Sequence, residues 1–210
     1  PGSAVCPSVY SGDFASPEQI IPPHGMRDLA GNPIPWELCA TMNNHWGYCS
    51  WDKEYKTSRT IIRKLVECVS KGGNMILNVG PDAKGNFPEE SQQILKEIGH
   101  WMGKNKESIY GCGLSQFEKP EWGRYTQRGS TIYAHVYETP LGALPLYGIK
   151  PEEIESITYV ATGSQVNRGE AWNTALYSQV PFVTFGENPV YSYPLPDETD
   201  TVLKIQLKQR

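Results

Sequence analysis

The stretch TSRTIIRKLVECVSKGGNMILNVGP, residues 57–81, decides the fold. Ile61, Ile62, Leu65, Val66 and Val69 recur at i, i+3/4 and i+7/8, which predicts a helix with one buried face, capped by Thr57 or Ser58 and stopped at Gly72-Gly73. Met75, Ile76, Leu77 and Val79 follow as a near-continuous apolar run closed by Gly80-Pro81, the pattern expected of a strand buried on both faces. Upstream, residues 36–42 place Trp36, Leu38, Ala40 and Met42 on one face and Glu37, Cys39 and Thr41 on the other, so they read as a short strand. Downstream, a second helix starts near Pro88-Glu89-Glu90 with Ile94, Leu95, Ile98, Trp101 and Met102 on its inner stripe. Strand, helix, strand, helix is half of an α/β layer or barrel.

From about Leu114 the period changes to two. Residues 124–127 and 131–138 flank an Arg-Gly-Ser turn, and further short strands read at 157–161, 180–185 and 201–207, separated by Gly, Pro and Asn turns. The expectation is therefore α/β plus all-β: an α/β portion over 1–113 and an antiparallel sheet or sandwich over 114–210. The first thirty-five residues, rich in Pro, Gly, Ser and Asp, show neither period and read as a long loop.

Composition narrows the class. A net charge of -4 over 210 residues lacks the clustered Lys and Arg that a phosphate backbone requires, so nucleic acid is not expected as a partner. Twenty glycines and seventeen prolines fall short of a low-complexity chain. No run of 18 apolar residues exists, so no membrane span is expected, and residues 1–10 lack the basic start and apolar stretch of a signal peptide. The five cysteines (Cys6, Cys39, Cys49, Cys68, Cys112) are odd in number and lack a CxxC spacing, which points to structural thiols rather than a zinc site or a disulfide framework.

Three segments fall where an α/β barrel places its chemistry, just past the carboxyl ends of strands: Asn43-Asn44-His45-Trp46-Gly47-Tyr48, Asn78-Val79-Gly80-Pro81-Asp82, and the irregular Gly12-Asp13-Phe14-Ala15-Ser16-Pro17-Glu18. Carboxylates beside aromatics suit glycosidic chemistry, where an acid protonates the leaving oxygen and rings pack on the apolar face of a sugar. Gly72 and Gly73 are helix-stop residues, because no phosphate-cradling pattern follows them. Asn78 is expected to tie backbone groups and Gly80 to allow a tight turn.

At these residues the chain resembles the α-L-fucosidases of glycoside hydrolase family 29. Gly12-Asp13-Phe14-Ala15-Ser16-Pro17-Glu18, Pro35-Trp36-Glu37, Trp46-Gly47-Tyr48, Val69-Ser70-Lys71-Gly72-Gly73-Asn74 and Leu77-Asn78-Val79-Gly80-Pro81 stand in that family's order. Ile98-Gly99-His100-Trp101 and Glu107-Ser108-Ile109-Tyr110-Gly111 resemble the end of its catalytic barrel. Ala161-Thr162-Gly163-Ser164, Pro194-Leu195-Pro196-Asp197 and Asp200-Thr201-Val202 resemble its C-terminal β-sandwich. The resemblance implies the C-terminal part of a (β/α)8-like catalytic barrel followed by an antiparallel β-sandwich.

It also implies an exo-acting, retaining enzyme that releases terminal α-L-fucose from a fucosylated oligosaccharide or glycoconjugate without a metal or other cofactor. Retention requires two carboxyl groups roughly 5–5.5 Å apart, one a nucleophile and the other an acid and then a base. The family's nucleophile is an aspartate on a barrel strand upstream of the Gly-Asp-Phe loop, in a Trp-rich motif that this sequence does not contain, so an upstream barrel segment is an expected partner. Asp13, Asp28 and Asp52 are poor substitutes, since none ends an apolar strand.

Two glutamates compete for the acid/base role. Glu18 is preferred, because it matches the family's Pro-Glu on a loop that can approach the substrate; Glu37 is the alternative, but it opens its strand, away from the carboxyl end. Trp46 matches the family's sugar-facing ring, His45 is a candidate hydrogen-bond partner for a sugar hydroxyl, and Tyr48 completes the aromatic loop; core packing or a surface position is the alternative for each. His24, near the acid loop, is ambiguous, and His100 and His135 read as structural. A non-catalytic carbohydrate-binding remnant and an interaction scaffold are the competing functions. Secreted, periplasmic and cytoplasmic homologues all fit the family, and the absence of an Asn-x-Ser/Thr sequon leans bacterial.

Overall fold

A computed structural model of the chain describes residues 13–169, 174–186 and 194–208. Cys6 and Gly12 lie outside the described residues. The chain divides into two compact units, 1–103 and 104–210. The sequence places the change of period at 113/114. Residues 104–113 nonetheless join the second unit, because a single 3-10 turn at Lys106–Ser108 buries Ser108 there and Gly113 pairs with Gln127.

The first unit is built on strand β1 (Glu37–Thr41), helix α1 (Ser58–Ser70), strand β2 (Asn74–Asn78) and helix α2 (Glu89–Asn105). β1 and β2 pair in parallel, with Leu38 opposite Met75 and Thr41 opposite Asn78. The alternation read from the sequence holds, since Trp36, Leu38, Ala40 and Met42 are all buried. Thr57 caps α1 by accepting the Thr60 N–H, and Ile61, Ile62, Val66 and Val69 form its buried face. The turn between α1 and β2 depends on close packing. A Cβ on Gly73 would stand 2.2 Å from the Trp36 ring, and the Trp36 indole donates to the Lys71 carbonyl at 3.3 Å.

Two expectations are corrected. Residues 15–19 are not a free loop. They run parallel to β1 on the edge opposite β2, with the Ala15 N–H on Pro35 O, Glu37 N–H on Ala15 O, Cys39 N–H on Pro17 O and Gln19 N–H on Cys39 O, all at 2.9–3.0 Å. Only Ala15 of this stretch joins the core, so the apolar alternation that betrays a strand is missing. Nor is β2 buried on both faces. Met75 and Leu77 pack toward the helices, but Ile76 is 49% exposed on the other face.

The second unit is antiparallel. Strands β3 (Gly123–Arg128), β4 (Thr131–Val136), β6 (Ile154–Tyr159) and β9 (Thr201–Leu207) form one sheet in the order β3-β4-β9-β6. Strands β5 (Leu144–Pro145), β7 (Asn167–Arg168) and β8 (Phe182–Thr184) form a second in the order β5-β8-β7. β5 and β7 are two residues long, too short to show a period. Both sheets contribute to one apolar cluster that includes Trp122, Ile132, Leu144, Val183, Leu203 and Ile205. No helix among the described residues is long and apolar enough to cross a membrane. No disulfide forms among them, Cys39, Cys49, Cys68 and Cys112 all being thiols.

His135 is fully buried in this unit. A carbonyl cannot donate, so the Thr126 hydroxyl gives its single proton to Ser108 O at 2.7 Å and accepts from His135 Nε2 at 3.1 Å. His135 Nδ1 meets Asp200 Oδ2 at 2.7 Å, with both side chains wholly buried. This chain of polar groups ties Ser108 to the central strands. Removing one partner of such a pair strands a buried polar or charged group, so Asp200→Ala should lower the free energy of unfolding by about 3–5 kcal/mol. Equilibrium urea unfolding followed by circular dichroism measures it.

Candidate active site

The loop after β1 and the loop after β2 meet at the carboxyl end of the parallel strands. The Asn78 side-chain amide donates to the Trp46 carbonyl at 2.6 Å, as a residue expected to tie backbone groups should. Gly80 serves differently from the expected tight turn. A Cβ there would lie 2.6 Å from the Gly47 carbonyl carbon and 2.8 Å from Tyr48 N, so glycine is what lets the two loops touch.

Glu18 comes to this end through residues 15–19. Its backbone is opposite Cys39, which places its side chain on the same sheet face as Glu37, Cys39 and Thr41 of β1 and Asn74, Ile76 and Asn78 of β2. The carboxylate is exposed, and the Trp46 indole N–H donates to its Oε1 at 3.1 Å. Glu37 lies on the same face but two residues, about 6–7 Å, nearer the amino end of the sheet. Glu18 and Trp46 are thus in direct contact.

His45, Trp46 and Tyr48 all lie on the loop after β1. Trp46 is 39% and Tyr48 52% exposed. His45 Nδ1 sits 2.7 Å from Asp52 Oδ2, and its ring stands edge-on to Trp51 with centroids 4.9 Å apart. Asp52 is buried and also accepts the Asn44 N–H at 2.9 Å and the Glu54 N–H at 3.1 Å. With its oxygens so occupied, Asp52 is the post that orients His45. Asp28 is similarly engaged with Asn32 in an exposed turn, at 2.8 and 3.0 Å, and Asp13 is exposed.

The carboxyl end of β1 is held from below by Lys56, whose Nζ donates to Thr41 O at 2.8 Å and Asn43 O at 3.1 Å; burial pushes its pKa down. Sequence reasoning missed the roles of Asp52 and Lys56, because neither falls in a motif and each acts through partners seven to fifteen residues back in the chain. Gln19 was missed as well; its side chain bonds twice to Thr41 and its φ is 60°. Among the described residues no group of three His, Cys, Asp or Glu side chains converges as a metal site would require.

A family model described as Alpha-L-fucosidase matches residues 4–107 of the chain. Among curated proteins, the alpha-L-fucosidase of Dictyostelium discoideum is 36% identical over 110 residues, 50% of this chain and 24% of that protein. The plasma alpha-L-fucosidase of Pongo abelii is 36% identical over 168 residues, 75% of this chain and 36% of that protein. Among solved structures, alpha-L-fucosidase isoenzyme 1 from Paenibacillus thiaminolyticus is similar with a TM-score of 0.88 at 46% identity, over 95% of this chain and 46% of that one. A family 29 alpha-L-fucosidase from Bacteroides thetaiotaomicron, a covalent intermediate trapped with 2-fluoro-fucosyl fluoride in a glutamate-to-glutamine variant, has a TM-score of 0.74 at 29% identity, over 94% of this chain and 44% of that one. The chain thus spans less than half the length of each of these relatives.

The hydrogen bond from His45, opposed by burial and aided by the Asn44 and Glu54 amides, holds the Asp52 carboxyl below the ordinary aspartate range. A depressed folded-state pKa adds stability above the unfolded value, about 3.9, and that stability is lost as pH falls through the folded pKa. The Tm advantage of the protein over Asp52→Asn should therefore be full near neutral pH and shrink below about pH 4, as thermal melts across that range would show. At the loop junction, Gly80→Ala should cost about 1–3 kcal/mol by overpacking against Gly47 and Tyr48, measured by chemical denaturation.

Proposed function

Since the chain belongs to the α-L-fucosidase family, we propose that it supplies the acid/base, but not the nucleophile, of an exo-acting retaining α-L-fucosidase that hydrolyses terminal α-L-fucose from glycans. The observation that carries this reading is the position of Glu18. It ends a parallel stretch on the face shared with Asn78, its carboxylate is open to solvent, and its neighbour is an aromatic ring on the loop after the next strand. Barrel enzymes assemble their chemistry at that end of the sheet. In this reading residues 1–113 are the closing portion of a (β/α)8-like barrel, and 114–210 are a β-sandwich.

The chemistry follows from two carboxyl groups. Glu18 protonates the glycosidic oxygen as the bond to the anomeric carbon breaks, and an aspartate from the upstream barrel segment attacks that carbon from the opposite face. Glu18, now a carboxylate, then takes a proton from water, which displaces the aspartate and restores the anomeric configuration. The covalent intermediate trapped in the Bacteroides relative, in a glutamate-to-glutamine variant, supports both the double displacement and a glutamate in the second role. Trp46 offers its ring to the apolar face of the sugar while its N–H holds Glu18. His45 has Nδ1 engaged by Asp52, so Nε2 is the nitrogen left for a sugar hydroxyl, and Tyr48 adds an exposed ring on the same loop.

In the full-length enzyme, Glu18→Gln should lower kcat on unactivated fucosides by about 10²–10⁴-fold, whereas Glu37→Gln should leave it within about threefold. Steady-state kinetics decides between them. The reverse pattern would assign the role to Glu37, retention of kcat in both variants would remove both glutamates from the acid/base role, and fucose binding without any turnover by the unsubstituted full-length protein would favour a remnant that does not cleave.

A further inference from the structure

We propose that Gln19 is a positioning residue for Glu18, its side chain standing in for a missing rung of the parallel ladder and so fixing where the acid carboxyl points; this rests on the assignment of Glu18 as the acid/base. The ladder between residues 15–19 and β1 has a regular step: Glu37 N–H bonds to Ala15 O at 2.9 Å, then Cys39 N–H to Pro17 O at 3.0 Å. The next rung in that series joins Thr41 N–H to the backbone carbonyl of residue 19. The side chain of Gln19 makes it instead, with Oε1 accepting from Thr41 N at 3.3 Å and Nε2 donating to Thr41 Oγ1 at 2.9 Å.

The substitution is forced by the backbone. Gln19 has φ 60° and is the sole non-glycine residue in the left-handed region among the described residues. The chain thus leaves the ladder one residue after Glu18, in a conformation that glycine, asparagine or aspartate would adopt at lower cost. A strained residue persists where its surroundings over-determine it, and here the two-point clamp does so. Thr41 is a firm anchor: it is 1% exposed, its hydroxyl donates to Asn43 O, and Lys56 holds its carbonyl at 2.8 Å. Glu18 is therefore fastened on one side by Gln19 N–H to Cys39 O at 2.9 Å and on its carboxylate by Trp46 at 3.1 Å, and the clamp stops the ladder end from fraying between them.

A role in holding the acid differs from a role in holding the fold, because acid assistance matters most when the leaving group is poor. The test compares Gln19→Ala, Gln19→Gly and Thr41→Val in the full-length enzyme on two substrates. One is a fucosyl disaccharide, whose leaving oxygen must be protonated; the other is α-L-fucosyl fluoride, which departs with little proton donation. Each variant should lose about 10²-fold in kcat/KM on the disaccharide and less than about fivefold on the fluoride, because a small misplacement of a catalytic group costs on that order. Gln19→Gly, which releases the backbone strain, should melt no lower than Gln19→Ala while losing as much disaccharide activity. Equal losses on both substrates, or none on either, would overturn the inference. Glu18→Gln is run beside them: if it fails to discriminate between the substrates, the assignment of Glu18 falls and the inference with it, a failure read from that variant alone.

Discussion

Strand β1 is satisfied on both edges, and the first unit is organised around that fact. A parallel strand in the middle of a sheet must give its N–H and C=O groups to neighbours on either side. β2 supplies one neighbour through a helical crossover, as parallel pairing demands. Residues 15–19 supply the other without any apolar pattern of their own. Everything at the candidate site hangs from this arrangement. Glu18 is the last residue before the edge partner turns away, Trp46 follows β1, and Asn78 ends β2 and grips the loop that carries Trp46.

Much of this is legible in the amino-acid sequence. α1 and α2 show a clean helical period, and the alternation of residues 36–42 matches the burial of Trp36, Leu38, Ala40 and Met42. The residue type and place of Asn78 mark it as a backbone tie, and it donates to the Trp46 carbonyl. What was not legible shares one cause, that hydrogen bonding to a neighbour leaves no mark on composition. Ser16, Pro17 and Glu18 are a poor strand by propensity yet are held as one by β1. The left-handed φ of Gln19 is invisible because glutamine is not a residue that announces it. The apolar run of β2 suggested burial on both faces, whereas Ile76 is half exposed, since an apolar run reports the residues and not what covers them. Asp52 carries no motif in the sequence and is the buried partner of His45.

Trp46 shows how one side chain serves two ends. Its indole N–H is directed at Glu18, and its loop position is fixed from behind by Asn78 and by the close approach of Gly80 to Gly47. Rigid support of this kind is what a proton donor needs, because a carboxyl acid acts only within hydrogen-bond reach of the oxygen it protonates. The second unit has its own polar anchor in His135 and Asp200, both wholly buried.

The proposed reaction divides its two carboxyl groups between this chain, which would carry the acid, and an upstream segment, which would carry the nucleophile. The most direct measurement is to incubate the full-length enzyme with 2-fluoro-fucosyl fluoride, digest it, and locate the fucosylated residue by mass spectrometry. A single label on an aspartate upstream of residue 1, with a stoichiometry near one per enzyme, is the predicted result. A label on Asp13, Asp28, Asp52 or any other residue of these 210 would contradict it.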